Sequence, residues 1–155
     1  MKKEPFEEIL MFLGSKEVDY KVCEHRPVIT SKEAREVKET DALGVKSLLF
    51  KSEKGLVLLV LSGDKKVSSS KVRALLQVKD LRMTSPEEVL SVMGCEIGGC
   101  YPLGNICGLS TIIDEKVSHS KSVIFNVGRR DRSVEMDWAD FSKVVPFQMA
   151  DISKD

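Results

Sequence analysis

Lys46 and a glycine-rich segment about fifty residues further on carry most of the chemistry that the residue types and spacing of this chain allow. The lysine stands in Gly44-Val45-Lys46-Ser47-Leu48-Leu49, and the segment from Cys95 to Gly108 holds Gly98, Gly99, Gly104 and Gly108 around Pro102. Glycines leave backbone N–H groups approachable, and an ammonium beside free amides suits an anion or an oxyanion developing on a carbonyl. A lysine at a strand end also snorkels into water, so the anion-binding reading requires the loop to lie beside it. Nucleophilic catalysis by serine or cysteine needs a base within hydrogen-bond reach, and the only histidines are His25 and His119. His119 sits between Ser118 and Ser120, whose side chains would point away from it on an extended chain. His25 precedes Arg26-Pro27, a pair that forces an extended turn and suits a structural imidazole. The glycines match neither G-x-G-x-x-G nor G-x-x-x-x-G-K-[ST], which removes the common nucleotide-binding motifs. Cys23, Cys95, Cys100 and Cys107 form no C-x-x-C pair and no usual zinc spacing, so free thiols, no metal and no cofactor are expected.

The elements that must position these residues follow from periodicity. Leu56 to Leu61 is wholly apolar, as in a strand buried on both faces, and Ser52-Glu53-Lys54-Gly55 links it to the Lys46 strand as a hairpin. Upstream, Pro5 opens a helix with Phe6, Ile9, Leu10 and Leu13 on one face, ending near Gly14. Val18, Tyr20 and Val22 alternate as a strand, and Thr30 with Glu33 forms a capping box for a helix carrying Ala34 and Val37. Downstream, Ser68 to Ser70 cap a helix that buries Val72, Leu75 and Leu76, and Leu81–Thr84 reads as a short strand. Ser85-Pro86-Glu87-Glu88 starts a helix burying Val89, Leu90 and Met93 and closed by Gly94. Strands at 110–113, 122–127 and 133–136 precede a last helix capped by Asp137 and carrying Trp138 and Phe141. Many short strands with interspersed helices give an α+β domain, a single one over residues 1–155.

Composition narrows the partners. No apolar run reaches the ~20 residues of a membrane helix, and the N-terminus lacks the apolar core of a signal peptide, so a cytoplasmic protein without membrane contact is expected. Net charge is zero, which argues against bulk nucleic-acid binding. Residues 42–82 nevertheless carry nine basic and three acidic side chains, a surplus of six. Lys65, Lys66, Lys71, Arg73, Lys79 and Arg82 supply most of it, as a solvated face or a phosphate-facing patch.

These residues resemble the YbaK/ProX family of aminoacyl-tRNA editing domains. The resemblance rests on Gly44-Val45-Lys46-Ser47-Leu48-Leu49 followed by Gly98-Gly99-Cys100-Tyr101-Pro102-Leu103-Gly104. It extends to Cys23-Glu24-His25-Arg26-Pro27, Thr111-Ile112-Ile113-Asp114 and Met149-Ala150-Asp151-Ile152, in order over nearly the whole chain. It implies a mixed β-barrel core of several strands with surrounding helices. It also implies hydrolysis of the ester of a mischarged tRNA by a free-standing trans-editing deacylase, the substrate being tRNA-Pro carrying a small non-cognate residue such as Cys, Ala, Ser or Thr. The family's lysine maps onto Lys46, and its loop glycine and proline onto Gly98 and Pro102. Lys46 with the Gly98 and Gly99 amides would then be catalytic, assisted by a tRNA ribose hydroxyl. Cys23, His25, Ser47, Cys100, Tyr101, Pro102 and Asn126 would line the substrate pocket. The implied partners are the aminoacyl-tRNA acceptor end and prolyl-tRNA synthetase, with monomer and homodimer both open. Cys23 replaces the Tyr found two residues before the His in cysteine-removing members, and Cys100 and Tyr101 are larger than usual for the loop. Those departures bear on which amino acid is removed. The alternative is a non-catalytic module of the same fold that binds tRNA or a synthetase; a pocket sealed by Tyr101 would favour it.

Overall fold

A computed structural model describes residues 4–27 and 40–155. The helix expected around Ala34 and Val37 lies outside the described residues. The element order is α1 (Pro5–Ser15), β1 (Lys21–Glu24), β2 (Leu43–Ser52), β3 (Gly55–Ser62), β4 (Lys66–Val67) and α2 (Ser69–Leu76). It continues with β5 (Leu81–Met83), α3 (Pro86–Met93), β6 (Thr111–Asp114), β7 (Ser122–Asn126), β8 (Arg132–Asp137), α4 (Trp138–Val144), β9 (Gln148–Ala150) and β10 (Ser153–Lys154). Single turns of 3-10 helix cover Gly104–Ile106 and Glu115–His119.

β2 and β3 form the expected hairpin, in register from Val45 opposite Ser62 to Ser52 opposite Gly55. They lie inside an eight-stranded mixed sheet of order β1-β8-β7-β2-β3-β6-β9, with β5 added on β2. The α+β class and the mixed sheet core with outer helices match the expectation. β3 explains the two-sided core. Leu58 and Val60 face a cluster that includes Ile9 and Leu13 of α1, Val89 and Met93 of α3, and Phe141 of α4. Val57 and Leu59 face Val72 of α2, Ile112 and Ile152. An apolar strand without alternation is what burial on both faces demands.

Local chemistry sets the helix ends. Ser85 Oγ accepts from the Glu88 N–H at 3.2 Å while the Glu88 carboxylate accepts from the Ser85 N–H at 3.0 Å, a closed capping box. Ser68 caps α2 through the Lys71 N–H. Asp137 precedes α4 without a side-chain capping bond, unlike its expected role. Fully buried Asp114 accepts from the Ile152 N–H at 3.0 Å and the Ser153 hydroxyl at 2.9 Å, tying the chain's last residues to β6.

One feature of the sheet positions the site. β3 occupies one edge of β2 without a break, so β7 and β5 must share the other. β7 pairs parallel with Leu43 and Gly44, and β5 pairs antiparallel with Phe50 to Ser52. The Leu49 carbonyl accepts from both the N–H (3.0 Å) and the hydroxyl (2.8 Å) of Thr84, just beyond β5. From Val45 to Leu48 neither strand covers that edge, and the two diverge from it like the arms of a fork.

Candidate active site

A cavity of about 850 Å³ fills the fork. Val45 to Leu49 run along it, Ile124 and Asn126 of β7 form one wall, and Met83, Thr84 and Val89 form the other. Ile97, Gly98 and Cys100 approach from the glycine-rich loop, so lysine and loop meet as the sequence required.

Lys46 is half-buried, and its Nζ donates to the Gly63 carbonyl at 3.3 Å. Burial pushes its pKa below the usual 10.5 of a lysine, because a charged ammonium loses hydration there. Asp64 opposes the shift, and the like charge of Lys66 reinforces it. Asp64 was not singled out from sequence. The hairpin register carries the signal, since pairing Val45 with Ser62 carries the chain past Gly63 to Asp64 beside the start of β2.

Ser47 is 5% exposed, and its Oγ is the one buried side-chain oxygen or nitrogen without a hydrogen-bond partner among the described residues. It lies opposite Val60, between Val45 and Leu49 on the same strand face. A buried hydroxyl left unpaired costs about 1–3 kcal/mol, and Ser47 borders the cavity.

The loop wall is built on two glycines with different duties. Gly98 has φ +95, a backbone region that side chains rarely adopt, and it borders the cavity. Gly99 is packed against the turn after β7: a Cβ there would stand 3.1 Å from both the Arg129 nitrogen and the Gly128 carbonyl carbon. Its N–H donates to the Glu96 carbonyl at 2.9 Å and its carbonyl accepts from the Gly128 N–H at 2.7 Å. The expected pair of loop amides therefore reduces to Gly98; the Gly99 amide closes a turn and is not presented to a ligand. Arg130 pins the same loop, its Nε donating to the Ile97 carbonyl at 2.6 Å and its guanidinium meeting Glu96 at 3.2 Å.

Other expected pocket residues take other places. Tyr101 is 1% exposed and points into the core, donating its hydroxyl to the Met93 carbonyl at 2.9 Å. It does not seal the cavity; it fastens the end of α3 to the loop. Pro102 is buried beside it and does not border the cavity. Cys23 and His25 also stand apart. Cys23 pairs with Ser133 and Ser133 with Asn126, so all three share one sheet face with Cys23 two strands, roughly 10 Å, from Asn126. His25 Nδ1 donates to the Arg26 carbonyl at 2.8 Å, which leaves Nε2 to accept from the Ser133 hydroxyl at 2.8 Å in the neutral ring. Lys46, Ser47, Gly98, Cys100 and Asn126 are brought together; Gly99, Cys23, His25, Tyr101 and Pro102 support or lie beyond them. Asn126 donates from Nδ2 to the Arg129 carbonyl at 3.0 Å, which ties β7 to the same turn. Thr84 and Lys121 also border the cavity and carried no sequence signal, being brought there by β5 and β7.

The basic surplus of residues 42–82 is partly neutralised on folding. Lys65 meets Asp155, Lys71 meets Asp151 and Arg82 meets Glu88. None of these three borders the cavity, whose cationic residues among those described are Lys46 and Lys121.

Comparison with known proteins shows the family and the fold. Over 158 aligned residues the chain is 29% identical to a proline–tRNA ligase of Thermosipho melanesiensis, covering 90% of this chain and 28% of the ligase. It is 33% identical over 99 residues to the uncharacterised protein YwhH of Bacillus subtilis, covering 63% of this chain and 62% of that protein. The chain thus spans under a third of the length of the curated ligases it matches. A crystal structure described as a proposed trans-editing enzyme for prolyl tRNA synthetase superposes with a TM-score of 0.83 at 26% identity, over all of both chains. The family model for the aminoacyl-tRNA editing domain matches residues 25–144, which takes in β2, the glycine-rich loop and β7, and the chain belongs to that family.

Proposed function

We propose that the fork cavity is a deacylase site that hydrolyses the ester between a non-cognate amino acid and the 3′-terminal adenosine of a tRNA. The observation that carries this reading is the meeting of Lys46, the Gly98 wall and the partnerless Ser47 hydroxyl around one cavity. Its volume of about 850 Å³ lies within the range of small-molecule sites, ample for an aminoacyl-adenosine.

No histidine is among the described residues that border the cavity, so water is taken as the attacking group, oriented by a hydroxyl of the substrate's own ribose. As the carbonyl becomes tetrahedral, its oxygen gains charge. The Gly98 N–H is the loop donor available to it, and a good donor of that kind contributes about 3–4 kcal/mol. The Lys46 ammonium neutralises charge on the terminal nucleotide, through a bond of roughly 1.5–3 kcal/mol. The aminoacyl ester is reactive, so holding water, carbonyl and ribose in line supplies much of the remaining acceleration. Apolar Leu49, Val89 and Ile124 limit the amino-acid side chain to a small one. Likeness to proline–tRNA ligases makes tRNA-Pro the first substrate to test, acting in trans. Lys46, Lys66 and Lys121 would meet the acceptor end, a narrower patch than the charge count alone implied.

The test is a panel of mischarged tRNAs scored for release of the amino acid. Faster release than buffer from at least one small non-cognate species supports the reading. Tight tRNA binding with no release from any member would establish the non-catalytic module instead.

A further inference from the structure

A pair of thiols, one of them in the cavity wall and the other buried behind it, is not used by the proposed hydrolysis. Cys95 and Cys100 flank the turn closed by the Gly99 N–H on the Glu96 carbonyl at 2.9 Å, so the chain reverses between them. The two thiols influence each other's ionisation across that turn. Their exposures differ. Cys95 is 3% exposed, enclosed with Met93, Tyr101 and Leu103, whereas Cys100 is half-buried and borders the cavity. Among the described residues no third histidine, cysteine or carboxylate joins them in a metal-binding group.

We propose that Cys95 and Cys100 form a reversible disulfide when a hydroperoxide enters the cavity, which makes the Gly98 loop a redox-sensitive wall. The Cys100 thiolate attacks one peroxide oxygen, the O–O bond breaks, and an alcohol or water leaves with the other oxygen. Cys100 is then a sulfenic acid. The Cys95 sulfur attacks the Cys100 sulfur, the S–O bond breaks, and that oxygen leaves as water with the Cys95 proton. Two thiols are oxidised and one peroxide is reduced, and a dithiol reductant reverses the change. Geometry assigns the order, because only Cys100 meets the cavity. Interaction with Cys95 also lowers the Cys100 thiol from its ordinary value, favouring the thiolate that attacks, while interaction with Cys100 and burial raise Cys95. Tyr101 follows Cys100 and is anchored to Met93, and Gly99 is anchored to Gly128, so the backbone on either side is already fixed.

The experiment treats the folded protein with hydrogen peroxide and reads intact mass and a non-reducing peptide map. Loss of two hydrogen masses, restored by dithiothreitol and mapped to a Cys95–Cys100 link, is the expected result. Cys95→Ser should instead stop at oxygen added to Cys100, and Cys100→Ser should show neither change. Alkylating native Cys100 before peroxide should also abolish the link, which keeps the test independent of how the variants fold. A link through Cys23 or Cys107, or oxygen added to Cys100 in the wild type without any link, would overturn the proposal. Any effect on deacylation rests on the function proposed above, but the mass readout does not.

Discussion

Lys46 and Ser47 are consecutive in β2 and leave opposite faces of the sheet, yet both border the same cavity. Among the described residues no ladder partner covers one edge of β2 between Gly44 and Leu49, which lets a ligand reach round that edge to both faces. Lys46 supplies charge from the face it shares with Leu48, and Ser47 supplies a hydroxyl from the face it shares with Leu49. A paired edge would separate the two groups by a wall of backbone.

The partnerless hydroxyl gives the first prediction. Ser47→Ala removes a polar group that has no bond in the free protein, so thermal stability should hold or rise, by an amount on the order of 1 kcal/mol. Deacylation should fall about ten-fold if the hydroxyl bonds the substrate in the transition state. A melt beside single-turnover kinetics separates the two. Lower stability would show that the hydroxyl already has a partner.

Gly98 gives the second. At φ +95 a valine is strained, and its branched side chain would enter the cavity. Gly98→Val should abolish most hydrolysis and cost about 1–3 kcal/mol of local stability. Gly98→Ala separates the causes, sharing the backbone strain with far less bulk. Full activity in the valine variant would remove the Gly98 amide from the mechanism.

A third prediction concerns Glu88 at the start of α3, which is not among the residues that border the cavity. Hydrogen bonds from Arg82 and then from the Ser85 N–H hold the Glu88 carboxyl at about 2, below its ordinary 4.5. A carboxyl depressed in the folded state adds stability that is complete above pH 4.5 and lost as pH falls toward 2. Melts of the wild type and Glu88→Gln should therefore converge on acidification. A gap between them that stays constant from neutral pH to pH 2 would contradict the assigned shift.

Much of the frame was legible in the sequence because local rules settled it. The apolar Leu56–Leu61 run, the hairpin turn, the Ser85/Glu88 box and the left-handed Gly94 at the end of α3 each depend on residues close in the chain. The parallel pairings of β2 with β7, β3 with β6 and β6 with β9 join segments far apart, and no local period specifies them. The site divided the same way. Of the residues that border the cavity, Lys46 was legible from its place on the hairpin and Gly98 from the glycines that punctuate its loop, whereas Ser47 entered only through the family resemblance. Tyr101 misled because a loop tyrosine suggests a pocket wall, whereas here its ring completes the core and its hydroxyl reaches the Met93 carbonyl. The gap on the edge of β2 had no signal, since it exists only where β7 and β5 diverge.

The most direct test of the account is hydrolysis by Lys46→Ala beside wild type, on the mischarged tRNA that the wild type deacylates fastest. Lys46 is half-buried and makes a 3.3 Å bond to the Gly63 carbonyl, so its loss should scarcely move the melt. Removing a charge-assisted contact of roughly 1.5–3 kcal/mol from the transition state should slow release about ten- to a hundred-fold. A variant with a normal melt and undiminished release would contradict the assignment of this cavity as the catalytic site.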